Sequence, residues 1–227
     1  MISMSLLIKQ KIDLIDNTIL HTGTVNSIKG KIFFDKIESK GILYDLWIPE
    51  EIIIVLGRNS SLLEDVKEAA FIDNINIIRR VGGGGTVLLD YGTLVIDIAS
   101  KNIDYKSIGY FSQKCSNIII SALNSLAINS KYDIDSYDIV IKEKKVGGIS
   151  IYKSNQCYLF SASLIISDTS INNIERYLKI PIKQPKYRNN RPHHDFLTSL
   201  DQFCNFSFKD FVNKLDFLLH TKLVDWL

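Results

Sequence analysis

Four consecutive glycines, Gly82-Gly83-Gly84-Gly85, break an otherwise apolar part of the chain. They follow Ile75 to Ile78 and Arg79-Arg80-Val81, and lead through Thr86 to Gly92 into Leu94-Val95-Ile96-Asp97-Ile98. The β-branched runs on either side read as strands, so the glycines read as the turn of a hairpin. Glycine loses more backbone freedom on ordering than any other residue. A folded chain keeps a run of glycines where backbone must approach something closely or adopt φ > 0. The N–H groups of such a loop can form an anion-binding nest, and the guanidinium groups of Arg79 and Arg80 add fixed charge. The pattern therefore points to a small ligand with an anionic group. It excludes the Walker P-loop, which needs Gly-Lys-Ser/Thr opening a helix, and the dinucleotide fingerprint, which also needs a helix where a strand follows here.

A length of 227 residues fits one domain, residues 1–227, with a helical tail from about 171. Hydrophobic residues make up 46% and charged residues 23%, as in globular proteins, and the formal charge of +2 gives no footprint for nucleic-acid binding. Cys115, Cys157 and Cys204 are odd in number, widely spaced and free of CxxC, which argues against a disulfide framework and a zinc site and for a reducing cytoplasm. No run approaches the roughly 20 apolar residues of a membrane span, and the N-terminus lacks a basic leader and a cleavage site, so the expectation is a soluble, unprocessed chain without a membrane partner.

In order, Leu6 to Phe34 is weakly patterned, with Asp16-Asn17-Thr18 able to cap a short helix. Ile42 to Trp47 reads as a strand ended by Ile48-Pro49. Glu51 to Leu56 reads as a strand covered on both faces, and Ser60 to Ala70 as a short amphipathic helix. Between Tyr105 and Asn129 apolar residues recur at three- and four-residue steps, the clearest helix in the chain. Strands are expected at 137–142, 146–152 and 158–166, with polar turns at Glu143-Lys144-Lys145 and Lys153 to Gln156. Helices at 171–178, near 194–203 and at 208–219 flank a Pro-punctuated loop from Pro181 to Pro192.

Two further stretches carry chemistry. Lys145 leads into Val146-Gly147-Gly148, and a lysine beside glycine-flattened backbone can point into a pocket, hold a phosphate or polarise a carbonyl; by spacing alone a solvated turn lysine is the simpler reading. Gln184 to Asp195 holds Lys186, Arg188, Arg191, His193 and His194 and could meet an acidic partner or a phosphate, or be a solvated loop. The adjacent histidines would project about 100° apart on a helix, a poor chelating pair.

Leu43 to Pro49, Ile52 to Asn59, Arg79-Arg80 through Asp90 and Gly92, and Lys145-Val146-Gly147-Gly148 together resemble the catalytic domain of lipoate-protein ligases and their octanoyl- and lipoyltransferase relatives. The segments match in order over about residues 42–166. The resemblance implies an α+β fold, a mixed, mainly antiparallel sheet flanked by helices, of the class II synthetase-like biotin/lipoate ligase type. It also implies Lys145 as the catalytic residue, and Arg79, Arg80, Gly82, Gly83, Gly84, Gly85, Asp90, Gly147 and Gly148 as the binding site for substrate or acyl-adenylate. Arg188 and Arg191 stand as candidate partner or phosphate contacts. Gly82 replaces the usual Ser or Thr, Thr86 the usual Ala, Leu89 the usual His, and Phe160-Ser161 stands where relatives often have His-Gly.

The implied activity is activation of lipoate or octanoate with ATP and its Mg²⁺, and attachment to a lysine of a lipoyl carrier domain of a 2-oxoacid dehydrogenase or a glycine-cleavage H-type protein. No tightly bound cofactor and no metal site are expected. The alternatives are octanoyl or lipoyl transfer without ATP, for which no cysteine stands at the relatives' nucleophile positions, and a non-catalytic lipoate-binding homologue. About 60 residues follow Ile166, few for the accessory domain of complete ligases. A separate accessory subunit is one way to supply it.

Overall fold

The computed structural model describes residues 41–101, 105–155 and 157–226; the expected cap at Asp16-Asn17-Thr18 lies outside them. Strand β2 (Ile53–Leu56) sits at the centre of a small sheet and is buried at every position. Ile53 and Val55 pack with Leu89 and Val95, whereas Ile54 and Leu56 pack with Leu62, Phe71, Ile171 and Phe196. An unbroken apolar run is what a strand covered on both faces requires. Its neighbours are β3 (Asn76–Arg79), parallel to it, and β4 (Val87–Leu89), antiparallel.

The larger sheet has six strands in the order β1-β5-β9-β8-β7-β6, every pair antiparallel. They are β1 (Gly41–Trp47), β5 (Thr93–Lys101), β6 (Lys131–Asp133), β7 (Asp138–Ile141), β8 (Lys144–Ser154) and β9 (Cys157–Ile165). One face packs against the long helix α3 (Ile108–Ser125) and α6 (Phe208–Val224). Helix α6 contributes Phe211, Leu215, Leu219 and Leu223 at helical spacing, and Ser107 and Ser207 accept backbone N–H bonds at the two helix starts. The opposite face of β5 meets the small sheet through Val95. The fold is thus α+β with mainly antiparallel pairing, in two sheets rather than one.

Three expectations are corrected. The helix over 60–70 is two short ones, α1 (Leu62–Asp65) and α2 (Glu68–Ile72), because Val66 bridges Leu178 and the Lys67 N–H donates to the Tyr177 carbonyl. The helix near 194–203 shrinks to α5 (His193–Phe196) and a 3₁₀ turn at Leu200–Gln202, since Leu197 pairs with Lys145 and Thr198 N–H donates to the Lys145 carbonyl. In both, tertiary pairing overrides local helical preference. The glycines are not a hairpin turn: β3 and β4 lie on opposite sides of β2, so the loop between them crosses the end of that strand. Helix α4 (Asp168–Tyr177) follows β9 as expected. Among the described residues no helix is long and apolar enough to cross a membrane.

Candidate active site

Lys142 and Glu143 both have positive φ, 46° and 63°, the backbone of a tight two-residue hairpin turn. The turn is therefore shorter than the expected Glu143-Lys144-Lys145, and Lys145 belongs to β8. Across β7, Val140 opposes Lys145 while Ile139 opposes Gly147, so Val146 is an extra residue and the strand bulges. From this bulge the Lys145 ammonium reaches Asp138 Oδ1 at 2.6 Å. It lies over Gly148, where a Cβ would stand 3.0 Å from Nζ. Gly147 is required by its neighbour, because a Cβ there would meet the Leu164 side chain and the Ser163 carbonyl. Asp138 is 3% exposed, and its other oxygen, Oδ2, accepts from the Tyr187 hydroxyl at 2.7 Å. Burial, and then the neighbouring Asp138 carboxylate, push the Tyr187 hydroxyl pKa up, so it stays a donor.

Facing Lys145 is the glycine loop. Arg58 N–H donates to the Gly82 carbonyl, and the Gly84 carbonyl lies so close to Gly57 that no side chain fits there. Gly84 itself has φ 94°, open to glycine. The Arg80 guanidinium is only 5% exposed and sits inside the loop. Its Nη2 donates to the carbonyls of Gly83 at 2.8 Å and Gly85 at 2.7 Å, its Nη1 to Val55, and its Nε to Ser150 Oγ. Burial lowers its pKa to about 10, which leaves it cationic at neutral pH. Ser150, from β8, donates to the Gly83 carbonyl and fills the space that a Gly82 Cβ would need.

Between loop and sheet lies a cleft of about 1170 Å³, lined by Gly84, Gly85, Lys145, Gly147 and Gly148 and also by residues from 179–188. That exceeds the usual ~300–1,000 Å³ of small-molecule sites. A smaller recess of about 90 Å³ continues beneath the loop to Leu89, Val95, Ser161 and Ala162. At its end Ser161 donates to the buried Asp97, which also accepts from Trp47 Nε1 at 2.8 Å.

Of the other residues named from sequence, Arg188 lines the cleft and the rest are placed elsewhere. Asp90 faces away from the cleft: it accepts from Ser170 Oγ at 2.5 Å, Asn173 Nδ2 at 2.7 Å and the Gly92 N–H at 3.0 Å, pinning the β4–β5 turn to α4. Arg79 Nη1 donates to the carbonyls of Gly57 and Ser60 and holds the loop after β2. Gly82 and Gly83 shape the loop without lining the cleft. Arg188 is buried, with Nη2 against His193 Nδ1 at 3.2 Å, and it lines the cleft rather than an outer surface. Arg191 spends its donors on the carbonyls of Glu143, Tyr187 and Arg188. Asp138, Ser150 and Tyr187 escaped sequence reasoning. Only Asp138 left a signal, an acidic residue in an otherwise apolar strand.

Cys115 is fully buried and burial pushes its thiol pKa well up; Cys157 pairs with Ser154 and Lys101 at the end of β9 remote from Lys145. Among the described residues no group of three or more His, Cys, Asp or Glu could hold a metal ion.

The profile of the family described as "Lipoyl protein ligase A/B catalytic domain" matches residues 32–216. The chain belongs to this family. Lipoate–protein ligase 1 of Staphylococcus aureus is 27% identical over 154 residues, covering 67% of this chain and 45% of that protein. The chain spans less than half the length of the curated relatives it matches. Among solved structures, lipoate-protein ligase A bound with ATP superposes with a TM-score of 0.70 at 17% identity, over 86% of this chain and 78% of that one. A bi-partite lipoate protein ligase of Thermoplasma acidophilum, described with its E2 lipoyl domain, gives 0.70 at 17% identity, over 85% and 75%. The class II synthetase-like biotin/lipoate ligase fold follows from these superpositions.

Proposed function

We propose that this chain is a single catalytic domain of a cytoplasmic lipoate–protein ligase, converting lipoate or octanoate to an acyl-adenylate with ATP and its Mg²⁺ and attaching the acyl group to a lysine of a lipoyl carrier domain. The observation that carries the reading is the placement of the Lys145 ammonium across the cleft from Gly84 and Gly85. With the carbonyls of Gly83 and Gly85 engaged by Arg80 and the Gly83 N–H donating to the Ile151 carbonyl, a carboxylate or phosphate meets the loop backbone at Gly84 and Gly85 on one side and Lys145 on the other. In the first step a carboxylate oxygen bonds to the α-phosphorus and pyrophosphate leaves. In the second the amine of the acceptor lysine bonds to the acyl carbon, AMP leaves, and the amine loses its proton. Lys145 offsets the negative charge that develops on the phosphoryl and carbonyl oxygens in both. The backbone at Gly148, without a Cβ, keeps the space under the ammonium open.

The related structures add support: one binds ATP, and one is bi-partite and described with a lipoyl domain, in keeping with a 2-oxoacid dehydrogenase or H-type carrier and a separate accessory subunit. Transfer from a pre-activated acyl group through a cysteine fits less well, since neither Cys115 nor Cys157 lines the cleft. Incubation with ATP, lipoate and a lipoyl domain, followed by intact mass, is expected to give the lipoyl adduct and pyrophosphate. Consumption of octanoyl-carrier protein with no adenylate would overturn the ligase reading. Lys145→Ala is expected to slow modification about 10²–10³-fold, as loss of one charge-stabilising donor does, with lipoate affinity within a few-fold of wild type. Lipoate binding with no turnover in the wild type would instead mark a binding protein.

A further inference from the structure

A residue outside the glycine loop and the lysine strand touches the carboxylate that pairs with Lys145. Asp138 divides its carboxylate between two partners, Oδ1 to Lys145 at 2.6 Å and Oδ2 to the Tyr187 hydroxyl at 2.7 Å. Tyr187 sits in a 3₁₀ turn (Lys186–Arg188) of the C-terminal segment, distant from both in sequence. Its ring packs on Phe196 with centroids 5.2 Å apart, and the Arg188 guanidinium lies 4.6 Å from the Phe196 ring centre. The C-terminal chain also holds the backbone of β8 and of the turn before it. Arg191 Nη2 donates to the Glu143 carbonyl in the β7–β8 turn, and Thr198 N–H donates to the carbonyl of Lys145 itself. An aromatic hydroxyl on so braced a support is a fixed donor aimed at one carboxylate oxygen.

An anionic substrate competes with Asp138 for the Lys145 ammonium, and as the ammonium turns towards the substrate Asp138 is left a buried carboxylate with its cation held less closely. A hydrogen bond from a phenol stabilises that state and weakens the carboxylate's hold on the ammonium. We propose that Tyr187 is a positioning residue for Lys145, acting through Asp138 to let the ammonium pass from the carboxylate to the anionic group of the substrate. This rests on the functional reading above for what the substrate is, and on geometry alone for the coupling.

The test is the rate at which acetic anhydride acetylates Lys145 relative to Lys144, read by peptide mass spectrometry on the full chain. Tyr187→Phe, which keeps the ring on Phe196, is expected to slow labelling of Lys145 several-fold, because the ammonium is held more tightly. Asp138→Asn is expected to speed it, and in that background Tyr187→Phe should have no further effect. Mere loosening of the segment would speed labelling in Tyr187→Phe, and that result, or no change, overturns the proposal. Tyr177→Phe removes another tyrosine–aspartate bond, to Asp73, and should leave Lys145 labelling as it is; a slowing there as large as in Tyr187→Phe also overturns it. Turnover in the ligation assay should fall about tenfold in Tyr187→Phe, the worth of one hydrogen bond to a charged group. Absence of ligation by the wild type would refute the functional reading while the labelling rates still judge the coupling.

Discussion

The two walls of the cleft are built in opposite ways. The glycine wall is backbone, held from within by Arg80, whose donors go to the carbonyls of Gly83, Gly85 and Val55. The C-terminal wall is side chains: Tyr187, Phe196, Arg188 and His193 packed on one another, with Arg188 Nη2 against His193 Nδ1. Both walls place an arginine at their centre, yet one depends on a cation and the other on a histidine that has to stay neutral. Arginine can only donate, so His193 Nδ1 is the acceptor and the Nε2–H donates to the Lys179 carbonyl. Burial, and then Arg188, push the His193 pKa down to about 4. The walls therefore fail under different conditions.

The largest effect is expected from Arg80→Met. It leaves several buried carbonyls without donors at about 1–3 kcal/mol each, so stability in urea should fall by about 4 kcal/mol, with the acyl site lost. A loss under about 1 kcal/mol would mean that the loop holds its shape without the arginine. Acid attacks the other wall. The unfolded chain protonates His193 near the ordinary 6.5 and the native one near 4, so the unfolded state binds more protons between these values and stability drains away as pH falls through them. The displacement corresponds to about 3 kcal/mol at ~1.36 kcal/mol per pKa unit. His193→Gln should flatten the dependence of urea midpoint on pH between 7 and 4, and hydrogen exchange at pH 5 should rise in residues 184–196 before it rises in the glycine loop. Simultaneous loosening of both would erase the distinction. Smallest is Gly82→Ser, expected to cost about 2 kcal/mol by crowding Ser150. The double variant Gly82→Ser with Ser150→Gly should recover most of that loss, whereas additive losses would show that the two sites do not share space.

The walls differ in legibility as well. Strand β2 could be read because each of its residues is apolar, helix α3 because its apolar residues keep a helical step, and the glycine loop because four residues without Cβ signal close approach. Lys145 could be marked by the glycines after it, and the resemblance gave it a role. The loop's crossing of β2 could not be read: whether two strands pair with each other or with a third between them leaves no local mark. Asp90 matches the family pattern, and its bonds to Ser170 and Asn173 have no local mark in the sequence, since both come from a helix far along the chain. Gln184 to Asp195 read equally as solvated loop or binding patch, because charge in a sequence does not say whether its donors face solvent, a ligand or the chain's own carbonyls. Arg191 took the last course.

The pairing of Leu197 and Thr198 with Lys145 has a temporal consequence. During synthesis the chain emerges from its N-terminus, and the sheet that bears Lys145 can form before the segment that completes the pocket is made. A nascent chain halted ahead of residue 187 would have the glycine loop and the lysine but neither the tyrosine nor the backbone partner, Leu197 and Thr198, that hold the lysine in register. The pocket is finished only when the translated chain returns to it, so a truncated product carries the motif without the assembled site.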